Sequence, residues 1–168
     1  MFSCRMVIRR AVEEDVKAIM KIYEYARKFM IESGNPTQWS PAYPNVDVVE
    51  RDIVNGNCYV CTEKETMVGT FAFIIGEEPT YHTIEQGNWH CDMPYGTIHR
   101  LAGSGQVKGV SKACLDFCKS KTDYLRIDTH ADNVTMQAVV LKNGFKKCGI
   151  IHVTNGDPRI AFDYLSLN

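Results

Sequence analysis

The sequence has no long apolar run. Its longest stretches, such as "TFAFII", fall far short of the roughly 20 residues a membrane-spanning helix needs. It has no excess of one charge either: 19 Lys and Arg stand against 20 Asp and Glu, a net charge of −1. That balance offers no basic field for nucleic acid and no acidic surplus of the kind that keeps chains disordered. The opening "MFSCRMVIRR" has no apolar core of a signal peptide. Repeats, low-complexity tracts and linkers are also missing. These absences leave an expectation of one soluble, cytoplasmic domain over residues 1–168, long enough to bury a core, with neither nucleic acid nor membrane as partner.

Cysteine is present but unpaired in pattern. There are seven, an odd number, and most sit inside apolar stretches. Cys58 and Cys61 form a CxxC in "NCYVC", a spacing used for zinc or redox chemistry. No second CxxC and no nearby His pair completes a metal site. On a strand, residues three apart also point to opposite faces. Reduced cysteines serving as small core residues are therefore expected, with no metal.

The rest of the chain divides into short periodic elements. "MVIRRA" alternates as a strand does. "VEEDVKAIMKIYEYARKFMIES" places Val16, Ile19, Met20, Tyr23, Ala26 and Met30 at helical spacing, with Glu13, Glu14 and Asp15 at its start and Gly34 at its end. "NPTQWSPAYP" is a Pro-punctuated loop. "VDVVERDIVNG" predicts a second helix, closed by Gly56. "CYVCTE" and "MVGTFAFII" predict a hairpin turning at Lys64 and Glu65. A segment of weak periodicity follows, "GEEPTYHTIEQGNWHCDMPYG", long enough to be functional or to cover something. Strand "TIHRLAG", helix "VSKACLDFCKS", strand "YLRIDTH", helix "NVTMQAVVLKN" and strands around "CGIIHV" and "RIAFDYL" complete the order. A hairpin followed by alternating strands and helices implies an α/β fold built on a mixed sheet, with helices on both faces.

One stretch carries chemistry. In "IHRLAGSGQVKGVSKACLDFC" a strand runs through a Gly-containing turn into a helix whose apolar stripe is Val110, Ala113, Cys114, Phe117 and Cys118. Lys112, Asp116 and Lys119 lie off that stripe. Glycines allow close backbone approach, and the start of a helix presents unpaired N–H groups with partial positive charge. Lys108 and Lys112 add formal charge. The turn suits an anion such as phosphate; a plain tight strand-to-helix turn would look the same. It is not a Walker loop, since no GK[ST] follows, and not a dinucleotide fingerprint, since Lys108 stands where the last Gly of GxGxxG belongs.

The same stretch resembles motif A of the GCN5-related N-acetyltransferases, the GNAT family. Their Q/R-x-x-G-x-G/A signature is met by Gln106, Val107, Lys108, Gly109 and Val110, with Ser111 at the last position in place of Gly or Ala. "THADNVTMQAVVLKNGF" resembles the next family element, with Asn133 opening a helix that ends in Gly144 and Phe145. "VIRRAVEEDVKAIMKIY" resembles the family opening, so the likeness covers nearly the whole chain. It implies a mostly antiparallel sheet splayed between its fourth and fifth strands, and acetyl-CoA as acyl donor. Backbone groups at Leu101, Ala102 and Gly103 would pair with the pantetheine arm as an added strand does. The turn and helix start from Gln106 through Val107, Lys108, Gly109, Val110 and Ser111 to Lys112 would hold the pyrophosphate. Asn133 would bond the arm, while its place before "VTMQ" also suits a helix N-cap.

Acetyl transfer to an amine needs a neutral amine, although a free alkylamine has a pKa near ~10. It also needs a donor for the tetrahedral oxyanion, and the leaving thiolate gains from an acid. The resemblance assigns the oxyanion to the Leu101 backbone N–H and implies direct attack without a covalent enzyme intermediate. The family's acidic Tyr position is Val140 here, which cannot donate a proton. His99 is the candidate base, set against a His merely satisfied on a half-buried strand. Glu85 is a second candidate, set against a solvated loop carboxylate. Asp128 and His130 are expected to be structural. Tyr81, Glu85, Trp89 and Tyr95 would suit a cationic amine through cation–π contact and charge pairing, or a loop packed on its own side chains. Packing is the expected role of Trp39 and Trp89. The acceptor is expected to be a small amine, with a protein amine as the other option, and the family likeness suggests a homodimer. Two further readings stand beside the enzyme: a catalytically weak acyl-CoA-binding or regulatory protein on the same fold, and a phosphate- or nucleotide-binding α/β protein.

Overall fold

A computed structural model describes residues 5–166 of the chain. Cys4, and with it the start of the N-terminal stretch expected to be no signal peptide, lies outside the described residues. The strands are β1 (Val7–Arg10), β2 (Cys58–Glu63), β3 (Thr66–Ile75), β4 (Gly96–Gly103), β5 (Tyr124–Thr129), β6 (Lys146–His152) and β7 (Pro158–Leu165). The helices are α1 (Val16–Glu32), α2 (Val46–Val54), α3 (Val110–Lys119) and α4 (Val134–Lys142). The strands follow the hydrogen-bonded order β1-β2-β3-β4-β5-β7-β6. The sheet is mixed and mostly antiparallel, with helices on both faces. Its contacts group into two compact units.

The first unit holds the residues up to Phe73 together with His99–Phe117. β1 and β2 pair antiparallel from Val7↔Thr62 to Arg10↔Tyr59, and β2 and β3 form the expected hairpin. Lys64 and Glu65 turn it with φ of +49° and +66°, the left-handed pair that suits a two-residue hairpin loop. Alternation along β2 decides what covers each face. Cys58 and Val60 pack with Ile19, Ile22, Tyr23, Trp39 and Val49, beneath α1 and α2. Tyr59 faces the other way, 5.1 Å ring to ring from Phe117 of α3. Cys58 and Cys61 are therefore buried on opposite faces, and neither forms a disulfide.

One boundary differs from the expected one. Glu13–Asp15 form a 3₁₀ turn and α1 starts at Val16. Asp15 causes this by accepting from the Val12 N–H at 2.8 Å and from Arg9 at 2.7 and 2.9 Å, which fixes the chain one turn early. The stripe of α3 also includes Leu115, fully buried, and that of α1 includes Ile22. Ile22 falls at helical spacing between Ile19 and Ala26, whereas Leu115 lies beyond the expected stripe of α3.

The second unit holds Ile74–Ile98 and the residues from Cys118 on. β5 pairs antiparallel with β7 from Tyr124↔Leu165 to Thr129↔Ile160, and β7 pairs antiparallel with β6. The β6–β7 ladder is irregular between Lys147 and Gly149, which leaves Cys148 as the extra residue of a bulge. The long segment after β3 lies on this group. Its Tyr81 and Tyr95 pack with Tyr124, Cys148, Ile151 and Ala161. Glu85 pairs with Ile150 through two backbone bonds of 2.9 and 2.8 Å. A Cβ on Gly87 would fall 1.8 Å from the Cys148 carbonyl oxygen, so only glycine lets the segment lie this close to β6.

Candidate functional site: a strand edge leading into a helix start

β4, the turn after it and the first turn of α3 hold most of the predicted residues. Ser104 N–H donates to the Val68 carbonyl at 2.9 Å, and Gly76 N–H donates to the Tyr95 carbonyl at 3.1 Å. These bonds bracket β3 and β4 and set them antiparallel. Backbone groups of an antiparallel strand alternate in direction, so Ser104 and Ala102 face β3 while Gly103 and Leu101 face away. On that far side, the ladder recorded for β4 among the described residues contains only Gly96↔Leu125 and Thr97↔Arg126, both parallel. The backbone edge at Leu101 and Gly103 lies beyond it. Arg100 interrupts β4 with φ of +53°, a left-handed conformation that a non-glycine residue rarely adopts inside a strand.

Arg100 is held there by its side chain. Its guanidinium donates to the Tyr43 hydroxyl at 3.0 Å and pairs with the Asp52 carboxylate of α2. Both charged groups are nearly buried, at 12% and 10% exposure. Arg27 donates to the Tyr43 carbonyl at 2.9 Å, so the "NPTQWSPAYP" loop is fastened to β4 and α1 together. Sequence reading did not find this cluster. The signal was an acid, Asp52, on the inward face of an apolar helix, and an Arg within an apolar strand.

The turn is shaped by two glycines. Gly105 and Gly109 have φ of +77° and +87°. A Cβ on Gly105 would meet the Tyr25 hydroxyl at 2.1 Å, so Tyr25 of α1 lies directly against the turn. Gly109 meets nothing closer than 4.0 Å, and its requirement is conformational alone. Ala113 N–H makes the first helical bond, to the Gly109 carbonyl at 3.0 Å. The N–H groups of Val110, Ser111 and Lys112 therefore precede any intrahelical acceptor and carry the positive end of the helix. Val110 is buried and anchors that first turn, whereas Gln106, Lys108 and Lys112 are exposed and Val107 and Ser111 half-buried. Lys112 bonds Asp116 at 2.5 Å, one turn on.

The other predicted residues are placed as follows. His99 is half-buried on β4 and the Leu101 side chain is buried. In the second unit, the Asn133 carboxamide oxygen accepts from Met136 N–H at 3.0 Å, so Asn133 caps α4. Val140 is fully buried. Asp128 accepts from the Tyr81 hydroxyl at 2.6 Å, and His130 Nδ1 accepts from Asp132 N–H at 3.0 Å, the structural roles expected of both. The Glu85 side chain is exposed, and its backbone holds it on the outer edge of β6, with β7 between β6 and β5.

The aromatic residues of the long segment already hold a cation, and it is the protein's own. The Arg126 guanidinium lies 4.1 Å from the ring centres of both Trp89 and Tyr95 and 5.2 Å from that of Tyr124. It donates to the Cys91 carbonyl at 2.9 Å. Trp89 Nε1 donates to the Tyr81 carbonyl at 3.0 Å. The segment therefore packs on itself and on β5, the packing role expected of Trp89. In the first unit a groove of about 750 Å³ runs along the start of α1, lined by Glu13, Lys17, Met20, Arg27, Pro41 and Pro44. Its charges are of both signs, so charge alone selects no acceptor.

The backbone edge of β4 at Leu101 and Gly103 thus runs through a glycine turn into the start of α3. Residues 5–146 match the acetyltransferase (GNAT) domain, and the chain belongs to that family. Over 97% of this chain and 96% of the other, it is 32% identical to a GNAT-family acetyltransferase from Streptococcus agalactiae of solved structure, with a TM-score of 0.89. A GNAT-family acetyltransferase from Listeria monocytogenes shares the fold at 18% identity and a TM-score of 0.69, over 95% and 94% of the chains. Another from Bacillus cereus shares it at 20% and 0.62, over 98% and 99%. No curated protein matches the chain. No described helix is long and apolar enough to cross a membrane.

Proposed function

We propose that the chain is an N-acetyltransferase that moves the acetyl group of acetyl-CoA to a primary amine of a small acceptor, by direct attack in a ternary complex. The observation that carries this reading is the β4 edge. Leu101 and Gly103 face away from β3 beyond the two-residue ladder, and the same strand delivers the chain to the start of α3.

In this reading the pantetheine amides pair with the backbone of Leu101 and Gly103, and Ala102 holds that stretch through its buried side chain. The pyrophosphate takes the N–H groups from Gln106 to Lys112, with Lys108 adding charge. The neutral amine attacks the thioester carbonyl carbon. Leu101 N–H donates to the oxyanion that forms. His99 accepts the proton released from nitrogen. The C–S bond then breaks and coenzyme A leaves as a thiolate, which takes its proton from water, because buried Val140 has none to give. Glu85, on the outer edge of β6, is given no part in the chemistry.

The buried Val140 also favours a second reading, an acyl-CoA-binding protein of weak activity on the same fold. Calorimetric titration with acetyl-CoA, ADP and pantetheine, followed by turnover with an amine panel, separates the readings. Binding that needs both nucleotide and arm, with turnover, supports the enzyme. Such binding without turnover supports the second reading. ADP binding as tightly as acetyl-CoA would remove the case for acyl transfer.

A further inference from the structure

His90, Cys148 and Asp163 come together in the second unit. They arise from the segment after β3, the bulge of β6 and the middle of β7. His90 Nδ1 lies 2.7 Å from Asp163 Oδ1 and 3.4 Å from Cys148 Sγ. The three donor atoms all lie within 4.8 Å of one another. The Asp163 side chain is 3% exposed, whereas the His90 side chain is 46% exposed.

We propose that His90 Nδ1, Cys148 Sγ and Asp163 Oδ1 form a three-ligand site for a thiophilic divalent cation of the zinc class, with water as fourth ligand. Thiolate, imidazole and carboxylate together are a zinc-type donor set and unlike the all-oxygen sets of magnesium or calcium. Donors around a tetrahedral zinc stand roughly 3.2 to 3.8 Å apart, as its bond lengths require. The observed N···S spacing already fits, and the N···O spacing must open by about half an ångström to admit the ion.

Outer-shell groups orient the carboxylate. Asp163 Oδ2 accepts from His90 N–H at 2.8 Å and from the Tyr124 hydroxyl at 2.7 Å, which leaves Oδ1 as the atom directed at the imidazole and the thiol. Tyr124 in turn accepts from Arg126 Nε at 3.2 Å. Such outer-shell bonds hold a ligand in its binding orientation before the ion arrives. The bulge re-aims Cys148, and the exposed face of His90 gives the ion and its water a way in. On binding, the Cys148 S–H bond breaks, the sulfur binds the ion as thiolate, and the proton goes to solvent. The imidazole binds neutral through Nδ1 with its proton on Nε2. The ion would fasten the segment after β3 to the β6–β7 pair.

Cobalt(II) titration of the full chain tests this. The expected result is one equivalent bound, with thiolate-to-cobalt charge-transfer absorption and the visible bands of a tetrahedral ion, both erased by added zinc. Cys148→Ser should lose the charge-transfer band. His90→Ala, at a side chain 46% exposed, should weaken binding at least roughly tenfold. Zinc should raise the Tm of the parent chain and not that of His90→Ala. Absence of the band in the parent, or a band unchanged in both variants, would overturn the proposal.

Discussion

Val110 of α3 occupies the space that the missing side chain of Gly69 leaves on β3. A Cβ on Gly69 would stand 2.4 Å from Val110 Cγ1 and 3.3 Å from the Ala102 carbonyl oxygen. The start of the proposed pyrophosphate helix therefore rests on a glycine of β3, the strand before the one that leads into the turn. Gly69→Ala should push that first turn outward, costing about 1–3 kcal/mol of stability as overpacking does, and weaken acetyl-CoA binding. Val110→Ala in the same chain should restore part of both. Denaturant melts and calorimetry on the three variants check this; a fully stable Gly69→Ala would show that the contact gives way easily.

The Arg100–Asp52 pair joins β4 to α2, and both charges are nearly buried. Asp52→Ala leaves the guanidinium buried and unpaired, with an expected loss of about 3–5 kcal/mol. Replacing both residues with apolar ones of similar volume should recover most of that loss. Urea unfolding of the two single variants and the double variant measures the coupling directly. Additive losses would mean that the pair is not coupled.

His99→Ala should lower turnover by roughly 100-fold or more while leaving acetyl-CoA affinity nearly unchanged, because a base acts on the amine and not on the carrier. Gly109→Val should do the opposite, since it forces a branched residue to φ of +87° in the turn. Normal affinity in Gly109→Val would remove the pyrophosphate assignment, and unchanged turnover in His99→Ala would remove His99 from the mechanism.

The thiols give a pH prediction. Burial, first of all, pushes the Cys58 thiol up to about 11, and burial pushes Cys118 up to about 12. Alkylation at pH near ~8 followed by mass spectrometry should leave both unmodified in the native protein. Among the described cysteines, half-buried Cys91 should react first. The sign of the linkage follows from the raised values. Their contribution is fully present below the unfolded thiol value of about 8.5, and it is lost as pH rises through the folded values. Stability should therefore decline on the alkaline side, and less so in Cys58→Ala when each variant is referred to its own neutral value. Equal slopes would leave Cys58 without a part in the decline.

What the sequence by itself determined was local. Period-2 and period-3.6 patterns set the strands and helices, and turn chemistry at Lys64–Glu65 and Gly109 set the places where the chain reverses. Spacing from Gln106 to Ser111 and from Asn133 to Phe145 marked the family. These signals are written in contiguous residues, because they depend on backbone conformation and on one element's own faces. The tertiary structure decided which distant groups meet. It put Asp52 on Arg100, set Arg126 against the rings of the aromatic segment, and carried Glu85 to the edge of β6. It gathered His90, Cys148 and Asp163 from three separate elements, through a bulge that no periodicity announces. Pairings of this kind are fixed by strand register and by the demand that buried charge find a partner. Neither can be read along the chain before the sheet has formed.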